Sequence, residues 1–226
     1  SSIYSGDFNN GIITIKKGVT FTLTDCNGSG NGKGIVTRDS GQRGRGVYIE
    51  GGGVFYMYGG TISGNSAEVG NTVCGGGVYA EGVTGSSGAF GTFHMYGGVI
   101  SDNTAYNSKG NSGGAGVYVG EGAAFYLHDG VISGNRVLKS AGSSSGGGVY
   151  VGSKGTFVFE KGSVSYNYAD NGGGIFVDKN GVLTMASGII GGSTEDAANT
   201  AKFGGGVYTK GNCTLSGDAA ISGNEA

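Results

Sequence analysis

The chain contains no proline and no tryptophan in 226 residues, and only 13% of those residues are charged. Without proline a collagen-like chain is excluded, and glycine, although abundant, does not recur at every third position. A net charge of −2 removes the basic face that nucleic acid or an anionic membrane surface would require. The few basic residues gather modestly at Arg38, Arg43 and Arg45, where a solvated loop is expected. No apolar run approaches the roughly 18 residues of a membrane span, and no secretory leader opens the chain, so it reads as a mature chain or an excised segment. The three cysteines, Cys26, Cys74 and Cys213, are odd in number and lack metal-ligand spacing. A Cys26–Cys74 bridge stays open, whereas Cys213 takes a core position of the repeat and reads as a small buried hydrophobe.

What the chain does have is 54 glycines, 13 tyrosines and 10 phenylalanines. Its hydrophobic residues fall at regular positions, which speaks against disorder. The segment "GRGVYI" at 44–49 returns as "GGGVYA" at 75–80, "GAGVYV" at 114–119, "GGGVYV" at 146–151, "GGGIFV" at 172–177 and "GGGVYT" at 204–209. A second segment follows each, from "FYMYGGTIS" to "CTLSGDAAIS". A degenerate first copy comprises "IITI", "FTLT" and "GIV". The markers Ile13, Val47, Val78, Val117, Val149, Ile175 and Val207 therefore define seven turns, 26 to 39 residues apart. A helical solenoid is excluded by the period-2 alternation and by the density of glycine and β-branched residues.

Each turn carries three short strand signals: Val-x-Val (A), Phe-x-Met (B) and the Ile of x-Ile-Ser (C). Three short strands stacked on copies of themselves predict an all-β fold, a parallel β-helix of about seven turns. In it each strand's donors and acceptors pair with the turns above and below. The prediction is one domain over 1–226, with an N-terminal segment 1–11 and repeat turns over 12–226. The inward columns are apolar throughout, for example Phe55, Phe93, Phe125 and Phe157 in B, and leave no cavity for a cofactor. Asn65, Asn103, Asn135, Asn167 and Asn224 follow strand C at one offset. Asparagine tolerates tight corners and bonds local backbone, so these predict an internal, structural ladder. Arg38 and Ser193 hold that offset in the first and sixth turns, where the ladder is expected to break. Length varies mainly between strand C and the next strand A, with a further insertion at 83–91, so excursions collect on one edge.

The glycine-rich strand motif, the Gly-Gly-x-Ile-Ser-x-Asn corner and the alanine after it resemble the β-helix repeats of bacterial surface proteins. They are similar to pectin-lyase-like solenoids, and especially to polymorphic-membrane-protein and autotransporter-type passenger repeats, over about residues 12–226. The resemblance implies a right-handed coil, a secreted or cell-surface location, and adhesion.

Enzymes of similar appearance degrade acidic polysaccharides with clustered carboxylates, calcium or a basic residue on one face. Here Glu50 and Glu81 follow strand A on adjacent turns and form a weak candidate for a cation site. Gly120 and Gly152 separate them from Asp178, and Glu160 looks isolated beside Lys161. His94 and His128 lie on adjacent turns in different columns, and no nucleophile–base spacing or phosphate loop appears. No catalytic residue and no cofactor is assigned. Thr14, Thr22 and Thr24 begin a threonine array of the kind an ice-binding face needs, but tyrosine and histidine replace it from the second turn.

The outward positions of strand B carry more information. Turns two to four place Tyr56, Tyr58, His94, Tyr96, Tyr126 and His128 on a three-by-two lattice, with rows about 4.8 Å apart. Strand A carries its own outward column, Tyr48, Tyr79, Tyr118, Tyr150, Phe176 and Tyr208, one ring in each turn from the second to the seventh. Cross-strand aromatic pairing explains the second column, while the first, confined to three turns, is a candidate contact surface for a sugar or a protein. The chain closes on "ISGNEA" directly after strand C. The expectation is a longer natural chain, or head-to-tail pairing of copies into a filament. Together these predict a non-enzymatic extracellular or cell-surface scaffold, adhesin-like or self-assembling, whose partner is itself or a host or matrix glycan or protein. A polysaccharide-binding or polysaccharide-degrading module is the alternative.

Overall fold

The structure is a computed structural model that describes residues 11–25, 34–39, 41–68, 75–82, 88–107, 109–138, 142–192 and 197–226. Three parallel sheets of seven strands each run its length. Sheet A extends from Gly11–Ile15 to Val207–Thr209, sheet B from Thr20–Leu23 to Asn212–Leu215, and sheet C from Ile35–Val36 to Ala220–Ser222. Within the first strand of sheet A, Gly11 pairs with Arg45 and Ile15 with Ile49. The architecture is a parallel β-helix of about seven turns, each turn donating to and accepting from its neighbours.

The registers align the markers of the repeat. Ile13 pairs with Val47, Val47 with Val78, Val78 with Val117, Val117 with Val149, Val149 with Ile175 and Ile175 with Val207. A one-residue slip would turn every core side chain to solvent, so the alternation itself fixes the register. Phe55, Phe93, Phe125 and Phe157 are fully buried and stack along the axis at 4.8–4.9 Å. Each buried phenylalanine contributes roughly 1.5–3 kcal/mol. Cys213 joins this column by pairing with Leu183 and packs against the core, and burial raises its thiol pKa. Cys26 and Cys74 lie outside the described residues.

Beyond the corner asparagine the chain forms a fourth ladder: Ser66–Glu68, Thr104–Tyr106 and Arg136–Val137, continued by single bridges through Tyr168, Thr200 and Glu225. Under it Ala67, Ala105, Ala115, Val137 and Ala169 make a second, small apolar cluster. The period-2 pattern gives no sign of this arm, since two or three residues with one buried alanine or valine are too short to show alternation. The arm returns the chain toward the outer face of sheet A. There Gly114, at a φ of +60°, would place a Cβ 2.6 Å from the Val117 carbonyl oxygen and 2.8 Å from the Tyr118 Cα. Only glycine fits such a turn. The run's third glycine serves a different purpose, since a Cβ on Gly116 would sit 3.0 Å from Asn135 Nδ2. The glycine that opens a turn thus makes room for the asparagine that ends it.

The asparagines form one continuous buried chain. Asn65 Nδ2 donates to Asn103 Oδ1 at 3.0 Å, and the same link joins Asn103 to Asn135 and Asn135 to Asn167. Each backbone N–H in this run donates to the same oxygen of the next asparagine. The expected break at the sixth turn does not occur. Asn167 donates to Asn199 at 2.9 Å, and Asn199 to Asn224 at 2.8 Å. Ser193 lies outside the described residues, and the insertion moves the ladder position six residues on, to Asn199. At the first turn the register Val36↔Ile62 carries Asp39, not Arg38, to the asparagine offset. The ladder ends there, and Asn65 Oδ1 is left buried without a hydrogen-bond partner.

The basic cluster is not a solvated loop. Arg45 is 3% exposed and stands 4.3 Å from the Tyr79 ring centroid and 5.7 Å from that of Tyr48. Arg43 pairs with Glu68, and Arg38 Nη2 donates to the Arg45 carbonyl at 3.0 Å. A guanidinium is weakly hydrated and stacks on aromatic faces, which is why it can lie buried against the first two rings of the column.

Candidate functional site

Sheet B sets the geometry of the lattice. In-register pairing aligns Tyr56 with His94 and His94 with Tyr126, and the hydrogen bonds Tyr96 N–H to the Met57 carbonyl and His128 N–H to the Met95 carbonyl continue the register into the second column. Strand alternation turns Phe55 and Met57 inward and leaves Tyr56 and Tyr58 on the outer face.

Along the columns the ring centroids are 5.0 Å (Tyr56–His94), 4.6 Å (His94–Tyr126), 4.8 Å (Tyr58–Tyr96) and 4.1 Å (Tyr96–His128) apart, with interplanar angles of 6° to 17°. Within a turn the two rings are 6.2–6.3 Å apart. Coplanar rings placed edge to edge need more than roughly 6 Å between centroids, so the in-turn pairs are side by side while the column pairs overlap face to face. The lattice is therefore a block of three layers, two rings to a layer. It presents ring edges, phenol hydroxyls and imidazole nitrogens. The flat faces that a stacked sugar would need are largely taken by neighbouring rings. Tyr58 and Tyr96 are 53% and 40% exposed, and the other four rings are partly buried.

Two features of the block are missing from the column pattern. His94 Nδ1 lies 3.2 Å from His128 Nε2, a diagonal contact between columns. His128 Nδ1 lies 2.7 Å from Glu160 Oε2, so Glu160 is joined to the block and not isolated, while Lys161 pairs with Asp129 at 2.6 Å. With a carboxylate accepting from Nδ1–H, neutral His128 offers Nε2 as an acceptor and His94 donates from Nδ1. Protonating His128 reverses the middle link, because both its nitrogens then donate. Burial holds the His94 pKa below the usual histidine range, helped by the charge of His128 and opposed by that of Glu160. What could have flagged Glu160 in the sequence is its place directly after His128 in the same column.

The sheet A column is continuous as well, with centroid separations of 5.5, 5.0, 4.8, 5.1 and 5.6 Å from Tyr48 to Tyr208. Its environment differs. Tyr118 is 8% and Phe176 4% exposed, and backbone of the glycine-rich segments lies against the rings: a Cβ on Gly113 would sit 2.8 Å from Tyr150 Cδ2. Tyr48 donates to Glu81 at 2.6 Å and Tyr150 to Asp178 at 3.1 Å. Burial first, then the adjacent carboxylate, raises both phenol pKa values.

The weak cation candidates are accounted for separately. Glu50 pairs with Lys16 and accepts from Lys17 N–H, which lowers its pKa, whereas Glu81 accepts from Tyr48 and from Gly51 N–H at 3.0 Å. Neighbouring turns thus hold the two carboxylates by different partners. Among the described residues no group of three or more His, Cys, Asp or Glu side chains is placed to hold a metal ion, and no helix is long and apolar enough to cross a membrane. No known protein family, no curated protein and no solved structure matches the chain.

Proposed function

We propose that the chain is a non-enzymatic scaffold of the cell surface or extracellular space, a right-handed β-helix rod that makes adhesin-like contact through the ring block of sheet B. One observation supports this reading above the others. Six aromatic rings stand together on the outer face of one rigid sheet, and the two with the greatest exposure, Tyr58 and Tyr96, lie in contact at 4.8 Å. A flat patch of aromatic edges with polar tips has the composition of the centre of a wet protein interface.

The polysaccharide reading keeps a narrower form. Phenol and imidazole edges in layers one strand apart can hydrogen-bond the hydroxyls of a glycan lying along the axis, but not stack on its rings. The test is retention of the chain on cell-surface and extracellular-matrix preparations and on a glycan array. The Tyr58→Ala/Tyr96→Ala variant is expected to weaken that binding at least about tenfold, and Tyr208→Ala to leave it unchanged. No binding by the unaltered chain, or equal binding by the double variant, would overturn the proposal. Retention on protein surfaces with a silent array would place the partner among proteins.

A further inference from the structure

We propose that Tyr58 and Tyr96 form an intramolecular dityrosine when the protein meets a one-electron oxidant. The inference stands on ring geometry and access, independently of any partner.

Coupling two tyrosines needs both phenols within reach of the oxidant and of each other. Tyr58 and Tyr96 meet both conditions: they are exposed and parallel to within 10° at a centroid separation of 4.8 Å. Each competing pair fails one. Tyr79–Tyr118 and Tyr118–Tyr150 stand at 5.0 and 4.8 Å, but Tyr118 is covered. Tyr48–Tyr79 is wider and tilted, at 5.5 Å and 28°, and the Tyr48 phenol is tied to Glu81. Tyr56 meets Tyr58 and Tyr96 only at 6.3 and 6.5 Å. Tyr166 is well exposed, but no ring of the described residues stacks on it. Tyr56 is nonetheless close enough to both phenols that a radical formed on it passes to the exposed pair.

The chemistry balances simply. Each phenol gives one electron to the oxidant and its O–H proton to water, leaving two phenoxyl radicals with spin density at the carbons ortho to oxygen. Those carbons join. The two ring hydrogens displaced at the new bond move to the oxygens and restore both aromatic rings. The net change is one carbon–carbon bond formed and two electrons and two protons released. In the protein this staples the second turn to the third across the outer face of sheet B.

The experiment uses tris(bipyridyl)ruthenium(III), generated by light and persulfate, on the dilute full chain. Two equivalents accept the two electrons. The expected product is a monomer lighter by two hydrogen atoms, with dityrosine fluorescence and one cross-linked peptide pair containing Tyr58 and Tyr96. It should melt higher than the untreated monomer, because a cross-link restricts the unfolded chain. Tyr58→Phe and Tyr96→Phe keep the stacked ring but remove the phenol, so the fold is retained and the intramolecular product is expected to vanish. Tyr166→Phe is expected to leave it intact. Cross-links mapped to other tyrosines, products that join only separate molecules, or survival of the monomeric product in either ring variant would each overturn the proposal.

Discussion

The aromatic column of sheet A and the ring block of sheet B follow one rule, a ring repeated each turn at the strand spacing, yet they end in opposite environments. The sheet A column runs over six turns, has the Arg45 guanidinium packed against its first two rings and lies beneath glycine-rich backbone. The sheet B block spans three turns and keeps its outer edges in water. Stacking energy does not separate them, since both contain near-parallel rings within 4.1–5.6 Å. Cover separates them. A glycine run on the approach to strand A lets backbone lie against the rings, whereas the segments flanking strand B leave its rings open. The same ring therefore stabilises the fold in one sheet and is available for contact or chemistry in the other.

The largest expected effect comes from breaking the cover. Gly114→Val forces a β-branched residue to a φ of +60° and drives its Cβ into the Val117 carbonyl and the Tyr118 backbone. We expect a loss of at least about 3 kcal/mol, read as a lower urea midpoint, with tyrosine exposure rising in sheet A. The next largest comes from the covered ring itself. Tyr118 lies between Tyr79 at 5.0 Å and Tyr150 at 4.8 Å. Tyr118→Ala should cost about 3 kcal/mol, the magnitude of a large aromatic truncated in a core. A cost below about 1 kcal/mol would mean that the column is decoration.

Much of this contrast is legible in the sequence and part of it is not. Strand registers, core columns and the positions of all twelve outward rings follow from period-2 alternation within a repeat, because each turn must present the same face to the one before. The cover does not, since it depends on where the arm beyond the corner asparagine returns, and that arm is too short to carry a period. Asn199 escapes the pattern because a fixed offset from strand C cannot follow an insertion. Its signal is local: Asn199-Thr200-Ala201 repeats Asn103-Thr104-Ala105. Arg45 and Glu160 mislead for a common reason. Arg45 between two glycines and Glu160 beside Lys161 both look solvated in one dimension, but stacking brings each against a ring of the adjacent turn.

Removing an uncovered ring should matter much less to stability. Tyr96→Ala takes away a 40% exposed side chain stacked between Tyr58 and His128. Its effect on the urea midpoint is expected to be several-fold smaller than that of Tyr118→Ala, because less apolar area is withdrawn from water. Equal effects would show that the two arrays are structural to the same degree, and the comparison would collapse.

The smallest effect is also the most selective, because the two arrays should respond to opposite ends of the pH scale. The His94 pKa is lowered in the fold, so below about pH 6.5 the unfolded chain takes up its proton more readily than the native one. Its contribution to stability should therefore fall as the pH drops from about 6.5 towards 5. That window lies above the range of carboxylates such as Glu50 and Asp129, whose lowered pKa values lose their contribution only at more acid pH. For Tyr48 and Tyr150 the sign reverses. Their pKa values are raised in the fold, so their contribution is complete below pH 10 and is lost as the pH climbs past it. Urea midpoints measured across the range should show His94→Phe flattening the slope between pH 5 and about 6.5 alone, and Tyr150→Phe flattening only the alkaline limb. A histidine variant that altered the alkaline limb would mean that the block and the column are coupled through the core, which stacked but separately anchored rings give no route to do.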